Sequence, residues 1–313
     1  MDRAAAHKLA PPDQRVRQVF EALPKAKLRA ALIGSGIQES RTPWMHMEEG
    51  ARLGLGYSYA LVDFDALGLT EAALQAVLEL AAMHGFAGLN VTHPFKQSII
   101  THLDELSEEA AAIGAVNTIV FAGGRSIGHN TDCWGFAEGF RSTMREAPLD
   151  RVLLLGAGGA GKAVGRALCD LGAGHIDIFD RDPDRSTHLA AGLNSSPGVH
   201  HAAIARDLAV AARSATGLVN ATPMGMAKYP GMPLPPDELR ADLWVADIVY
   251  LPEETDLLSA AAAAGSRTMS GKSMAVFQAV KAFELITGRL PDTQAMFSHF
   301  ASAATGSPRA QLT

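Results

Sequence analysis

Two cysteines, Cys133 and Cys169, are all that the 313 residues contain. They are too few for a disulfide framework and lack the paired spacing of a zinc site, which fits a reducing compartment. The first 27 residues are polar, with Pro11, Pro12 and Pro24 among scattered charges. They hold no apolar core of a secretory signal, and no later stretch is long enough to span a bilayer, so a cytoplasmic protein without a membrane partner is expected. The chain also lacks any dense lysine or arginine run, and its net charge is a modest -6. A nucleic-acid or anionic-membrane partner is therefore not expected, and a small molecule is. His200-His201 has no carboxylate or cysteine at ligand spacing, and no metal is predicted. Internal repeats and low-complexity tracts are missing too.

What is present is a globular composition, 48% hydrophobic and 19% charged, in a chain long enough for two cores. Residues 1–27 read as a frayed or helical extension. Strands are predicted over Ala30–Ile33, Tyr57–Asp63 and Ala87–Val91, and helices over Pro43–Leu53 and from Thr70 through Met83, with Thr70 as N-cap and Gly85 as the stop. Ile113–Val120 with Gly123-Gly124 suggests a strand pair or hairpin before Asn130. Further strands are expected over Arg151–Leu155, His175–Asp180, Gly217–Asn220, Trp244–Ile248 and Arg267–Met269. Helices are expected over Ala160–Leu171, Leu257–Ala264 and Ser273–Thr287, the last ended by Gly288. The alternation gives an α/β fold whose second half is a doubly wound, Rossmann-type sheet.

The turn Gly156-Ala157-Gly158-Gly159-Ala160-Gly161 follows a strand, opens a helix and precedes an acidic residue, Asp180, at the end of the next strand. That context makes it a dinucleotide-binding signal. The glycines let the backbone approach a pyrophosphate, and the helix N-terminus offers unpaired N–H groups. Asp180 would accept from the adenosine ribose and repel a 2'-phosphate, which favours NAD. Arg181 and Arg185 could offset that repulsion, so NADP stays open.

A separate polar run, Asn90-Val91-Thr92-His93-Pro94-Phe95-Lys96, and the later Asn130-Thr131-Asp132 lie outside the cofactor motif. Lys96 and Asp132 are acid/base candidates, because oxidising an alcohol removes a hydroxyl proton along with a hydride. Two solvated surface charges are the bland alternative. A catalytic lysine needs its pKa tuned, and a partner aspartate alone favours the charged form. Cys133 and the methionines Met224, Met226, Met269 and Met274 read as packing residues.

Taken together, Ser40-Arg41-Thr42-Pro43, Asn90–Lys96, Ala115-Val116-Asn117-Thr118, Asn130–Asp132, the glycine turn, Asn220–Met226, Asp247–Tyr250 and Ser273–Gly288 around Gln278 resemble the shikimate and quinate dehydrogenase family. The resemblance runs from about Ala31 to Gly288. It implies a substrate domain over residues 1–131, a Rossmann domain over 132–270, and C-terminal helices over 271–313 that return to the first. It also implies hydride transfer between a nicotinamide and the 3-hydroxyl of a cyclohexane or cyclohexene carboxylate. Lys96 and Asp132 match the family's catalytic pair, and Ser40 and Thr42 match the hydroxyls that hold the substrate carboxylate. Ser40 could equally serve as a helix N-cap. Thr92, Asn117 and Gln278 match hydroxyl-binding positions, and Tyr250 matches a tyrosine reaching the substrate from the cofactor side. Thr222, Met226, Ile248, Gly271 and Met274 match the nicotinamide and ribose lining.

Shikimate-specific members usually carry serine at the position of Thr42 and an Asn-Arg-Thr run in place of Asp180-Arg181-Asp182. Both departures are similar to the NAD-linked quinate/shikimate branch. The extra hydroxyl of quinate makes the shape of residue 42 a candidate selector. Rival readings are an NADP-linked biosynthetic shikimate dehydrogenase, an aminoshikimate dehydrogenase and a non-catalytic quinate-sensing regulator. The presence of both Lys96 and Asp132 argues against the regulator. A homodimer is compatible with the sequence, which does not fix the oligomeric state.

Overall fold

The stretch Ala30–Ile33 is apolar on both faces of a strand, and in the computed structural model it is buried on both, as a parallel strand covered by helices must be. The structure describes residues 11–195 and 201–303. The first half runs α1 (Pro12–Ala22), β1 (Leu28–Gly34), α2 (Thr42–Arg52), β2 (Tyr57–Asp63), α3 (Leu74–Met83), β3 (Gly88–Val91), β4 (Glu105–Leu106), α4 (Glu108–Ile113), β5 (Thr118–Ala122), β6 (Arg125–His129) and α5 (Asp132–Thr143). Its sheet is ordered β2-β1-β3-β5-β6-β4. The β5–β6 hairpin turns through Gly123 and Gly124, both at positive φ, the backbone that a two-residue hairpin turn requires.

Of the two forms expected for the N-terminal extension, the helical one is present over residues 12–22, and two other local expectations are corrected. Val16 and Phe20, one helical turn apart, are fully buried in the first core. Phe20 meets Phe86 with ring centroids 4.4 Å apart, and the Arg29 guanidinium lies 4.8 Å from the centre of the same Phe86 ring. Thr70 makes no side-chain cap; its carbonyl accepts from Ala73 N–H at 2.8 Å, opening a 3-10 turn that leads into α3. Ile113 closes a helix rather than opening a strand. The Ser107 hydroxyl accepts from Ala110 N–H at 3.2 Å, and Gly114 in the left-handed region ends α4, so β5 starts at Thr118.

The second half adds β7 (Val152–Leu155), α6 (Gly159–Asp170), β8 (Ile176–Phe179), α7 (Pro183–Asn194), β9 (Ala202–Ile204), α8 (Leu208–Ser214), β10 (Gly217–Asn220), β11 (Trp244–Asp247), α9 (Asp256–Ala263), β12 (Thr268–Met269), α10 (Gly271–Thr287) and α11 (Thr293–Ser302). All six strands are parallel, in the order β12-β11-β10-β7-β8-β9. The order reverses between β7 and β10, the crevice where doubly wound sheets receive ligands. Helix α10 then crosses to the first half and packs on α5, α2, β3 and β5. The result is a two-domain α/β fold with the chain passing twice between the sheets. No helix of the described residues is long and apolar enough to cross a membrane.

If α1 is part of the first core, Phe20→Ala should cost about 3–5 kcal/mol and lower the thermal midpoint. A midpoint equal to that of the unaltered protein would return α1 to the status of an appendage.

Candidate active site

The first half delivers Lys96 in the loop after β3, and the hairpin delivers Asp132 as the first residue of α5. Lys96 Nζ donates to Asp132 Oδ2 at 2.6 Å, with the two side chains 18% and 5% exposed. The geometry is built from the backbone outward. The Lys96 carbonyl accepts from Val116 N–H at 2.7 Å, which ties its loop to the start of the hairpin. Asn130 Oδ1 accepts from the N–H groups of Asp132 and Cys133 at 3.0 and 3.2 Å, while its amide donates to Ala115 O at 2.9 Å. Asn130 thus caps α5 and aims its first turn, the role its short side chain suits.

Beside this pair lies a buried polar cluster. Asn117 Nδ2 donates to Thr131 Oγ1 at 2.9 Å and to Gln278 Oε1 at 3.5 Å, and Asn117 Oδ1 accepts from Thr131 N–H at 2.8 Å. Gln278 reaches the cluster because α10 crosses α5 at backbone distance: a Cβ at Gly135 would lie 2.7 Å from Gln278 N. Thr92 follows β3, half-buried, with its methyl against Gly34.

The loop carrying Ser40 and Thr42 is organised by Asp63, which sequence reasoning missed. Its carboxylate accepts from Gly36 N–H at 2.9 Å, Ile37 N–H at 3.1 Å and Gln38 Nε2 at 2.9 Å. Burial works to raise this carboxyl, but the Gln38 bond and the backbone donors outweigh it and hold the group below the usual carboxylate value. The signal was its place at the end of β2, where strand ends meet loops. Ser40 Oγ accepts only a long bond from Thr42 N–H, 3.4 Å, and α2 has no side-chain cap. Tyr250 lies beside Ser40: burial raises the Tyr250 hydroxyl, and the Ser40 hydroxyl and the Arg41 charge work to lower it. Ser40 and Tyr250 therefore meet across the cleft.

The glycine turn emerges at the switch point. Gly156 has φ +95°, and a Cβ there would press on Ala221 O at 2.8 Å and Thr222 Cγ2 at 3.1 Å. A Cβ at Gly161 would collide with the Gly156 carbonyl. In front of Gly158, by contrast, nothing lies within 4 Å. Tight backbone behind, open space ahead and the N-terminus of α6 together fit a dinucleotide phosphate. Ala157 is buried and Ala160 half-buried on this turn. Asp180 Oδ2 accepts from Ala157 N–H at 2.7 Å and Oδ1 from Asp182 N–H at 3.0 Å, so the carboxylate is fixed against the turn. Arg181 and Arg185 are exposed on the same rim, Arg185 pairing with Asp182 at 3.4 Å. Gly159 faces the other way, toward the acid/base pair: a Cβ there would sit 3.2 Å from Lys96 Cβ. The two motifs that are separate in sequence thus touch in space.

Thr222 Oγ1 donates to Asn220 Oδ1 at 2.6 Å, and Asn220 Nδ2 donates to Asp247 Oδ1 at 3.0 Å. A Cβ on Gly271 would overlap Ile248 O, so the start of α10 needs glycine to lie on the strand end. Met274 is buried beside it, whereas Met226 is 41% exposed on the loop after β10. Cys133 is buried, and burial raises its thiol, which suits packing. Among the described residues no group of three or more His, Cys, Asp or Glu could hold a metal; His200 lies outside them.

Known proteins share the sequence and the fold of this chain. The model of the shikimate dehydrogenase substrate binding domain matches residues 32–119. The chain is 50% identical over 275 residues to a shikimate dehydrogenase (NADP(+)) of Streptomyces avermitilis, covering 87% of this chain and 94% of that one. It is 44% identical over 274 residues to a quinate/shikimate dehydrogenase (NAD(+)) of Corynebacterium efficiens, covering 87% and 96%. Among solved structures, a quinate dehydrogenase from Corynebacterium glutamicum in complex with NAD superposes with a TM-score of 0.81 at 42% identity, covering 88% of this chain and 99% of that one.

Asp247 yields a test of the strand-end network. Burial raises its carboxyl to about 6, against hydrogen bonds from Val249 N–H, Thr255 and Asn220. Between its ordinary value of 3.8 and about 6 the folded protein keeps a proton that the unfolded chain has lost, so stability should fall as pH rises through that window. The contribution is up to about 3 kcal/mol. Asp247→Asn should flatten the slope in denaturant titrations from pH 4 to 7; an unchanged slope would remove Asp247 as its source.

Proposed function

The chain belongs to the shikimate dehydrogenase family, oxidoreductases acting on CH–OH groups, and on that premise we propose that it is an NAD-linked quinate/shikimate dehydrogenase. The observation that carries the reading is the Lys96–Asp132 pair, 2.6 Å apart and pressed against the glycine turn through Gly159. The nicotinamide, when bound, takes or gives the hydride. The chain's own residues do the rest. Lys96 and Asp132 receive the proton of the 3-hydroxyl when the alcohol is oxidised and return it on reduction, giving 3-dehydroquinate or 3-dehydroshikimate. Ser40, Thr42 and Tyr250 hold the ring carboxylate with short hydroxyl donors. Thr92, Asn117 and Gln278 hold the remaining hydroxyls. Residues 1–131 supply Lys96 and most of the groups that hold the acid, residues 132–270 the cofactor turn together with Asp132 and Tyr250, and residues 271–313 bring Gln278 and tie the second part back to the first.

The preference for NAD rests on Asp180, whose fixed carboxylate puts a negative charge where a ribose 2'-phosphate would lie. Thr222, Met226, Ile248, Gly271 and Met274 line the nicotinamide end. A second reading, NADP with shikimate, is favoured by the exposed Arg181 and Arg185 on the same rim and by the name of the 50%-identical relative.

The deciding experiment is a set of initial rates with quinate and shikimate, each against NAD and NADP. NAD-linked turnover of quinate supports the proposal. Turnover confined to shikimate with NADP replaces it with the second reading, and no turnover with any pair sinks both. Lys96→Ala should lower kcat by about 10²–10⁴ with the fold retained by circular dichroism. Asp180→Ala should cost about tenfold in kcat/KM for NAD while NADP turnover rises or holds; an equal loss with both cofactors would rule Asp180 out as the selector.

A further inference from the structure

We infer that Arg41 is a positioning residue that clamps the Ser40–Thr42 loop onto the cofactor side of the cleft through Glu253 and Phe300, and so sets the affinity for the carboxylate substrate. The inference rests on the activity proposed above. Arg41 lies between the two carboxylate-binding hydroxyl residues yet points away into a protein seam, its side chain only 10% exposed. Its Nη1 is paired with Glu253 Oε1, in the loop that follows Tyr250, and donates to the Phe300 carbonyl at 3.4 Å. The guanidinium lies over the Phe300 ring, 4.4 Å from its centre.

Phe300 is the hub of this seam. It is fully buried on α11, and the Tyr250 ring meets it edge-on at 5.9 Å. Lys272, in the first turn of α10 beside Gly271, places Nζ 5.8 Å from the same ring. One aromatic side chain therefore gathers the substrate loop, the Tyr250 loop and the start of α10. The Ser40–Tyr250 contact and the Arg41–Glu253 ion pair both bridge the substrate loop and the Tyr250 loop. A planar guanidinium suits this place, since it can pair with a carboxylate and stack on an aromatic face at once. Releasing Glu253 frees the Tyr250 loop from the hydroxyls it must join to hold a carboxylate. The acid/base pair takes no part in this seam, Lys96 being bonded to Asp132.

Kinetics of the full chain and of Arg41→Gln, Glu253→Gln and the double variant test this, with the acid substrate varied at saturating nicotinamide and thermal unfolding run in parallel. Glu253→Gln should raise KM for the acid about threefold to fivefold, with kcat within about twofold of wild type. The double variant should be no worse than Arg41→Gln alone, since both act through one pair. A fall in KM for Glu253→Gln would overturn the inference, because it would mean that a freed Arg41 binds the substrate directly. Additive KM changes, or a lowered thermal midpoint with KM unmoved, overturn it as well. A wild-type protein inactive on every acid and cofactor pair refutes the activity itself, whereas an active wild type whose KM ignores these substitutions refutes only the clamp.

Discussion

The close approach of α5 and α10 governs the site. Two glycines make it: a Cβ at Gly135 would meet the backbone of Gln278, and one at Gly139 would meet Ser273 Cβ at 3.1 Å and Met274 N at 3.3 Å. With the helices in backbone contact, Asp132 at the head of α5, Gln278 midway along α10 and Met274 near its start fall around one cleft. Helices held apart by ordinary side chains would sit 8–10 Å between axes, and the polar residues of α10 would miss the Asn117 cluster. The glycines lower the intrinsic helical tendency of α5, and tertiary packing more than restores it.

A second theme is the use of short amides and carboxylates at strand ends. Asp63 ends β2, Asn130 follows β6, Asn220 ends β10 and Asp247 ends β11, and each accepts from a backbone N–H two residues further along the chain. These loops leave the sheets where the ligands would lie. Fixing them by side-chain hydrogen bonds, rather than by apolar packing, leaves the cleft polar and its geometry narrow. Asp247 pays for this with a desolvated carboxylate, which explains why its proton is held so tightly.

Much of this was legible in the chain itself. Tyr57–Asp63 and Gly217–Asn220 were read to the residue, because apolar runs bounded by turn residues leave little choice. The glycine turn was legible since strand, turn and acidic residue fall in one order. Helix α5 was not, because Gly135 and Gly139 hide its pattern and Asp132 at its head looked like a loop residue. Helix α7 was not legible for a different reason: its buried face carries only Ser186, Leu189, Ala190 and Leu193 in an otherwise polar segment. The candidate site residues Ser40, Thr42, Tyr250 and Gln278 are spread over nearly the whole chain, and nothing in their local sequence pairs them. Only the crossing of α10 and the seam at Phe300 do so. Asp63 went unseen because a strand-ending aspartate is common and its five backbone and side-chain donors come from both sides in sequence.

The contact between Gly159 and Lys96 limits how this architecture can be rearranged. Nucleotide-binding halves are often treated as interchangeable cassettes, exchanged among unrelated catalytic partners to bring a new coenzyme. Here the first residue of α6, Gly159, is also packed against Lys96 of the other half, with Ala115 3.8 Å from where its side chain would begin. A transplanted half would have to reproduce that bare surface as well as its own nucleotide grip. Point changes on the distant rim leave that contact alone, whereas exchange of the whole half puts it at risk.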